Sequence, residues 1–215
     1  MYNYSSSKKL FNTDLNEFKD CFTPVKKVFN KGEIIIKSSS ENDKIGIIEK
    51  GTAYMITINS DAQRRILEYY QSGNMLGKSF IPINDNTVYY IVAKTECTVN
   101  FISYKKLLTC CEKSCEKHIS IIDSMLMTST QKAILHIDIL GQRTLRGKLL
   151  AFFEHLRIQK NSNNFTIPLP LIDLADYLAT DRSAMMRELK KLNQEGIIKS
   201  DKRKVTLIDN NHPND

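Results

Sequence analysis

The sequence predicts an α+β chain: an antiparallel β-roll, then one long helix, then a small helical head that carries a β-hairpin. Three observations predict it. Short runs rich in Ile, Val, Tyr and Thr recur from Val25 to Tyr104, with turn signals between them. No Pro or Gly interrupts the stretch from Cys115 to Leu140. After Pro170, two short helical patterns meet at a tight turn and run into a charged hairpin.

The roll comes first. "EIIIKS", "KIGIIEKG", "TAYMITI", "RRILEYY", "TVYYIVAKTE" and "CTVNFIS" read as strands, separated by "NKG", "SSSEND", "NSDA", "SGN" and "NDN". Short strands at this even spacing suit an antiparallel barrel or roll. Gly32, Gly51, Gly73 and Gly77 fall at or near the turns, where positive φ is often needed. An N-terminal helix and this roll form an expected first domain, residues 1–114.

The long helix, residues 115–141, carries a stripe through Cys115, Ile119, Ile122, Leu126, Ser129, Ala133, His136 and Leu140. Alternating steps of four and three residues are the seam of two paired helices. Seven turns span about 40 Å at 1.5 Å per residue, long for burial on one small domain. The stripe therefore predicts a dimerisation helix. The other reading is a helix lying on its own roll, which the polar members Ser129 and His136 leave open.

The head, residues 142–215, begins where "GQRT" breaks the helix. Gly141 suits a C-terminal stop and Thr144 an N-cap. The next helix carries Leu145, Leu149, Phe152, Phe153 and Leu156 to about Gln159. "KNSNN" is a turn and "FTIP" a short strand. Pro168 and Pro170 delay the following helix, with Pro170 in its first turn. Residues 170–178 form that helix, with Leu171, Leu174, Ala175 and Leu178 inward. "ATD" turns, Asp181 caps a second helix to about Gln194, and Gly196 stops it. "IIKS", "DKRK" and "VTLI" then make a hairpin. Helix, turn, helix and two-stranded wing is the winged helix-turn-helix order.

At 100° per residue the second helix turns Met185, Leu189 and Leu192 inward and Ser183, Arg187, Lys190, Lys191 and Gln194 outward, with Arg182 on the flank. The N-terminal part of such a helix enters the major groove, where Arg can donate two hydrogen bonds to guanine. Ser183 and the wing cations Lys202, Arg203 and Lys204 suit phosphate contacts. Charge agrees. The formal net charge is +7, and Gln142 to Ile208 holds 13 Lys and Arg against 7 Asp and Glu, where Met1 to Gly141 holds 18 against 15. A basic terminal module suggests a polyanion partner.

No apolar run approaches the roughly 20 residues of a membrane helix, and the start lacks the order of a secretion signal, so cytoplasmic residence without a membrane partner is expected. The five cysteines, Cys21, Cys97, Cys110, Cys111 and Cys115, are an odd count that argues against a disulfide framework. No Ser/His/Asp set, Gly-rich phosphate loop or paired acids emerges, so the chain is not read as an enzyme.

Roll, long helix and winged head in this order resemble the cAMP receptor protein / fumarate-nitrate regulator (CRP/FNR) transcription factors across about residues 20–208. "TDRSAMMRELKKLNQEGII", "AKTECTVNFISYKKLL" and "GNMLGKSF" carry the resemblance. It implies a cyclic-nucleotide-binding-like jelly roll. It also implies a homodimeric bacterial regulator that binds a palindromic site in double-stranded DNA, engages RNA polymerase and answers a small-molecule or redox signal. By resemblance, Arg182, Ser183 and Arg187 take the best-known contacting positions of the recognition helix. Many members have Glu where Ser183 stands, and Ala179 replaces a turn residue that is often Gly.

The resemblance also places an effector pocket at Gly77, Lys78, Ser79, Thr87 and Val88, with Ala133 and Ile134 from the long helix. In cAMP-binding members this region reads Gly-Glu-Leu and, later, Arg-Ser, with the Arg on the phosphate. Here it reads Gly77-Lys78-Ser79 and Thr87-Val88. Without that Arg a buried phosphate loses its bidentate partner. Ala133-Ile134 offers the adenine no hydroxyl. The effector is therefore expected not to be cAMP, with Lys78 either a ligand for another anion or an exposed lysine. A single cysteine, Cys21, precedes the roll, against the several that an N-terminal iron–sulfur cluster needs. Cys111, Cys115 and His118 share one helix face at C-x3-C-x2-H spacing and could meet a metal. Equally, Cys111 and Cys115 could pack as small apolar residues beside a surface His118. The rival function is a metal- or small-molecule-sensing roll whose basic head binds nucleic acid only nonspecifically.

Overall fold

The computed structural model describes residues 22–38, 43–58, 64–77, 87–109 and 117–208. The chain divides into two compact units, Met1–Thr130 and Gln131–Asp215. The N-terminal helix expected before the roll lies outside the described residues.

The first unit is built from strands β1 (Val25–Phe29), β2 (Ile34–Lys37), β3 (Lys44–Lys50), β4 (Thr52–Ile58), β5 (Arg64–Gln71), β6 (Met75–Gly77), β7 (Tyr89–Ala93) and β8 (Cys97–Ser103). They form two four-stranded sheets, ordered β1-β8-β3-β6 and β2-β7-β4-β5, and all pairings are antiparallel. Consecutive strands repeatedly change sheet, which makes the roll. Ile48, Val99 and Phe101 of one sheet join Ile36, Met55 and Ile91 of the other in one buried cluster. Burial of these β-branched and aromatic side chains is the main stabilising term.

Strand β3 is apolar on both faces, as its unbroken "IGII" suggests. Ile48 enters the central cluster, whereas Ile45 and Ile47 pack with Phe22, Ile102 and Leu107 in a second cluster. Leu107 belongs to the short helix α1 (Tyr104–Leu108), whose N-cap Ser103 accepts from the Lys106 amide. Asp43 fixes that corner by accepting from Ser103 Oγ at 2.6 Å and from the Lys105 amide at 2.9 Å. At the β3–β4 corner Gly51 has φ +101°, and a Cβ there would collide with the Glu96 carbonyl oxygen. Only glycine fits that turn.

Helix α2 (Lys117–Gly141) is continuous. Its Ile122 packs on the second cluster of the roll. The second unit continues with α3 (Leu145–Lys160), β9 (Asn164–Thr166), α4 (Leu171–Tyr177), α5 (Arg182–Gln194), β10 (Ile198–Asp201) and β11 (Lys204–Leu207). Thr144 caps α3 by accepting from the Gly147 amide at 3.0 Å. Leu149, Phe153 and Leu156 of α3, Leu174 of α4 and Met185 and Leu192 of α5 are fully buried. The expected two-stranded wing is a three-stranded sheet, because β9 pairs with β11 and extends the β10–β11 hairpin.

The structure departs from the sequence expectation at His136. His136 does not lie in an open seam. It is buried, its ring stacked on Tyr177 with centroids 3.9 Å apart, and its Nε2 lies 2.9 Å from the Tyr177 carbonyl oxygen. Ile139, one turn on, is buried as well. Among the described residues of α2, the exposed large apolar side chains are Ile119 and Leu140, which lie on the predicted stripe, and Met127, Ile134 and Ile137, which do not. The heptad spacing was real, but at the C-terminal end one of its positions faces the chain's own head.

Candidate DNA interface

Helix α5 is set by its start. The α4 C-terminus leads into Ala179, whose φ of +49° reverses the chain. Thr180 donates its amide to the Ala175 carbonyl at 3.0 Å. Asp181 then caps α5, its Oδ1 accepting from the Ala184 amide at 2.8 Å. Capping satisfies an amide that the first turn would otherwise leave unbonded. Arg182 and Ser183 are thereby the first two residues of the helix.

Burial divides α5 as the amphipathic pattern requires. Met185, Leu189 and Leu192 are buried. Arg182, Ser183, Arg187 and Lys190 are exposed on the other side. Arg182 and Arg187 are about 7.5 Å apart along the axis, at 1.5 Å per residue. That separation suits contacts to neighbouring base pairs. Lys202 and Arg203 form the two-residue loop between Asp201 and Lys204, which pair in the hairpin. Lys202 takes the left-handed conformation, φ +52°, and Lys202, Arg203 and Lys204 are all exposed.

Side-chain contacts that the sequence did not show hold this head together. Arg146 of α3 pairs with both Glu188 of α5 and Glu195, the residue that caps the C-terminal end of α5. The hydrogen bond to Arg146 holds the Glu195 carboxyl below its ordinary range, and the same bond raises the guanidinium. The signal was two glutamates seven residues apart, two turns along one side of α5. Lys148 Nζ donates to the Leu178 carbonyl at 3.2 Å, beside His136 at the Tyr177 carbonyl. Lys148 and His136 thus both meet carbonyls at the end of α4, and the helix dipole there favours the positive charge of Lys148. Asn193 ties α5 to the wing, its Oδ1 accepting from the Ser200 amide at 2.7 Å.

The residues expected to line an effector pocket are described only in part. Gly77 is buried with φ +129°, and a Cβ there would strike the Lys44 carbonyl oxygen. Thr87 is half-buried and Val88 exposed. Lys78 and Ser79 lie outside the described residues. Ala133 and Ile134, both exposed, belong to the second unit. Of the metal candidates, Cys111 and Cys115 lie outside the described residues, and His118 is the second residue of α2. Cys97 is a buried thiol raised in pKa by burial. Among the described residues no three His, Cys, Asp or Glu side chains form a metal-binding group, and no helix is long and apolar enough to cross a membrane.

Comparison with known proteins decides the family. Residues 26–114 match the model of the cyclic nucleotide-binding domain, and residues 147–211 match that of the Crp-like helix-turn-helix domain. The chain is a regulator of the CRP/FNR family. Among the relatives of this regulator is the nitrogen fixation regulation protein FixK of Rhizobium meliloti (strain 1021), 21% identical over 82% of this chain and 76% of FixK. The probable transcriptional regulator Flp of Lacticaseibacillus casei is 22% identical over 93% of this chain and 90% of Flp. Among solved structures, OCPA-complexed CprK shares the fold with a TM-score of 0.70 at 18% identity, covering 91% of each chain. A CRP/FNR regulator with a Crp-like head is a DNA-binding transcription regulator, and its relatives are regulators rather than enzymes.

Proposed function

We propose that this CRP/FNR regulator is a homodimer, joined along residues 115–141, that reads a palindromic DNA site with one α5 helix from each copy. The roll, residues 1–114, receives an effector other than cAMP, and residues 142–215 form the reading head. The observation that carries this is the exposed face of α5, where Arg182, Ser183, Arg187 and Lys190 stand together beside Lys202, Arg203 and Lys204 of the wing. Arg182 and Arg187 contact base edges, Ser183 and Lys190 the adjacent backbone, and the wing cations phosphates. Two-fold symmetry of the protein demands two-fold symmetry of the site, with half-sites about one helical turn apart.

Dimerisation draws support from α2. Ile134 is 60% and Ile137 69% exposed, on the side of the helix opposite Ile139. A second copy of the helix would bury them. RNA polymerase is the expected partner on DNA, and the compartment is the bacterial cytoplasm. The effector reading rests on Thr87 and Val88, which give a cyclic phosphate no cation.

Sedimentation velocity at micromolar concentration tests the dimer. The wild-type chain is expected to run at twice its 24.7 kDa mass, and Ile134→Glu with Ile137→Glu at the single mass. A wild-type chain that sediments as one copy at this concentration contradicts the proposal. Titration calorimetry with cAMP is expected to give no binding heat, and saturable binding would overturn the effector reading.

A further inference from the structure

Met186 stands out among the exposed residues of α5. It is 43% exposed, while Met185 beside it is 0% exposed and fills the core. On the helix it lies one turn beyond Arg182 and one turn before Lys190, next to Arg187. Successive steps of four residues turn by about 40°, so Arg182, Met186 and Lys190 follow one another across the reading face. Met186 is therefore an apolar side chain set among cations, and the core of the head does not use it. A helix that only met phosphates would gain nothing from an exposed thioether there. Phosphates present charge, and a lysine or serine would serve them better.

The major groove has one apolar feature that distinguishes its bases, the 5-methyl group of thymine. Methionine is long, unbranched and polarizable, and it adapts to irregular apolar surfaces. We infer that Met186 determines specificity by packing on a thymine 5-methyl group in each half-site. The inference rests on the reading of α5 as the helix that enters the major groove, and it adds a base that neither arginine selects. Arg182 and Arg187 donate hydrogen bonds and favour guanine, whereas Met186 selects a pyrimidine by shape and apolar contact.

The test uses a duplex selected by the full-length protein from random DNA. Each thymine is replaced in turn by uracil, which keeps every hydrogen bond and lacks only the methyl. At one position per half-site the wild-type protein is expected to lose about fourfold in affinity, the factor that burial of one methyl group carries. Replacing a cytosine at that position by 5-methylcytosine is expected to restore a similar factor. Met186→Ala removes both differences while binding to random DNA stays the same, and Met186→Leu retains them. If the uracil penalty is equal in wild type and Met186→Ala at all positions, Met186 does not read the methyl. If Met186→Ala weakens thymine and uracil duplexes alike, its role is packing, and the inference fails while the regulator reading stands. If no sequence is enriched from random DNA, the specific-reading function fails first and this inference with it.

Discussion

Arg146 and Arg157 on α3 end against carboxylates, the first on Glu188 and Glu195, the second on Glu154. Arg182, Arg187 and Lys190 on α5, with Lys202, Arg203 and Lys204 at the hairpin tip, form no ion pair among the described residues. These two groups of cations lie in one small unit and have opposite surroundings. Exposed ion pairs add little stability, so the pairs on α3 are best understood as fixing side-chain positions. Six cations with no ion pair among the described residues repel one another, and a chain gains nothing from that arrangement alone. A polyanion offsets the repulsion by releasing its counterions when they bind. The contrast teaches that the useful signal for DNA is basic charge left without internal partners, rather than basic charge as such.

Substitutions can break or sharpen this contrast. The largest effect is expected from Arg187→Ala, which should weaken the selected duplex by about 1–3 kcal/mol and relax the preference at one base pair, as read by competition against single-base variants. Next comes Lys204→Ala. It should weaken all duplexes alike and lower the slope of log affinity against log salt by about 1. Arg146→Gln, on the paired side, should leave that slope unchanged. A slope change from Arg146 equal to that from Lys204 would erase the distinction between the groups.

Smaller effects concern the frame that presents the reading face. Ala179 holds φ +49° and is exposed. An L side chain pays for that conformation and glycine does not, so Ala179→Gly should raise stability by about 1 kcal/mol in a denaturant titration. Destabilisation would mean the turn is not left-handed in solution. Burial, and then the charge of Lys132, hold the His155 imidazole below its ordinary 6.5. The folded head then binds fewer protons than the unfolded chain. Stability from the neutral ring is complete above pH 6.5 and is lost as pH falls from there through the lower folded value. His155→Gln should flatten that part of the pH–stability curve, and an unchanged curve would assign the acid sensitivity elsewhere.

Much of the frame was legible before the structure. Strand runs and turn residues gave the roll, because alternation and turn chemistry are local properties. Thr144 and Asp181 were readable as caps for the same reason. The surroundings of α2 were only half legible. Heptad spacing reports that a helix has an apolar stripe but not what covers it, and His136 is covered by Tyr177 of its own head. Ile134 and Ile137 lie off the predicted stripe and are exposed. A methionine in a helix pattern reads as core, and only its exposure separates Met186 from Met185. The pairing of Arg146 with Glu188 and Glu195 joins residues 42 and 49 positions apart, a distance that local patterns do not cross.

The account turns on sequence-specific recognition by the face of α5. Affinity for the duplex selected from random DNA, measured beside a scrambled duplex of equal length at one salt concentration, tests it most directly. The selected duplex is expected to bind at least about 10³-fold more tightly. Equal affinity for the two, falling together as salt rises, would show that the head binds charge alone and would contradict the account.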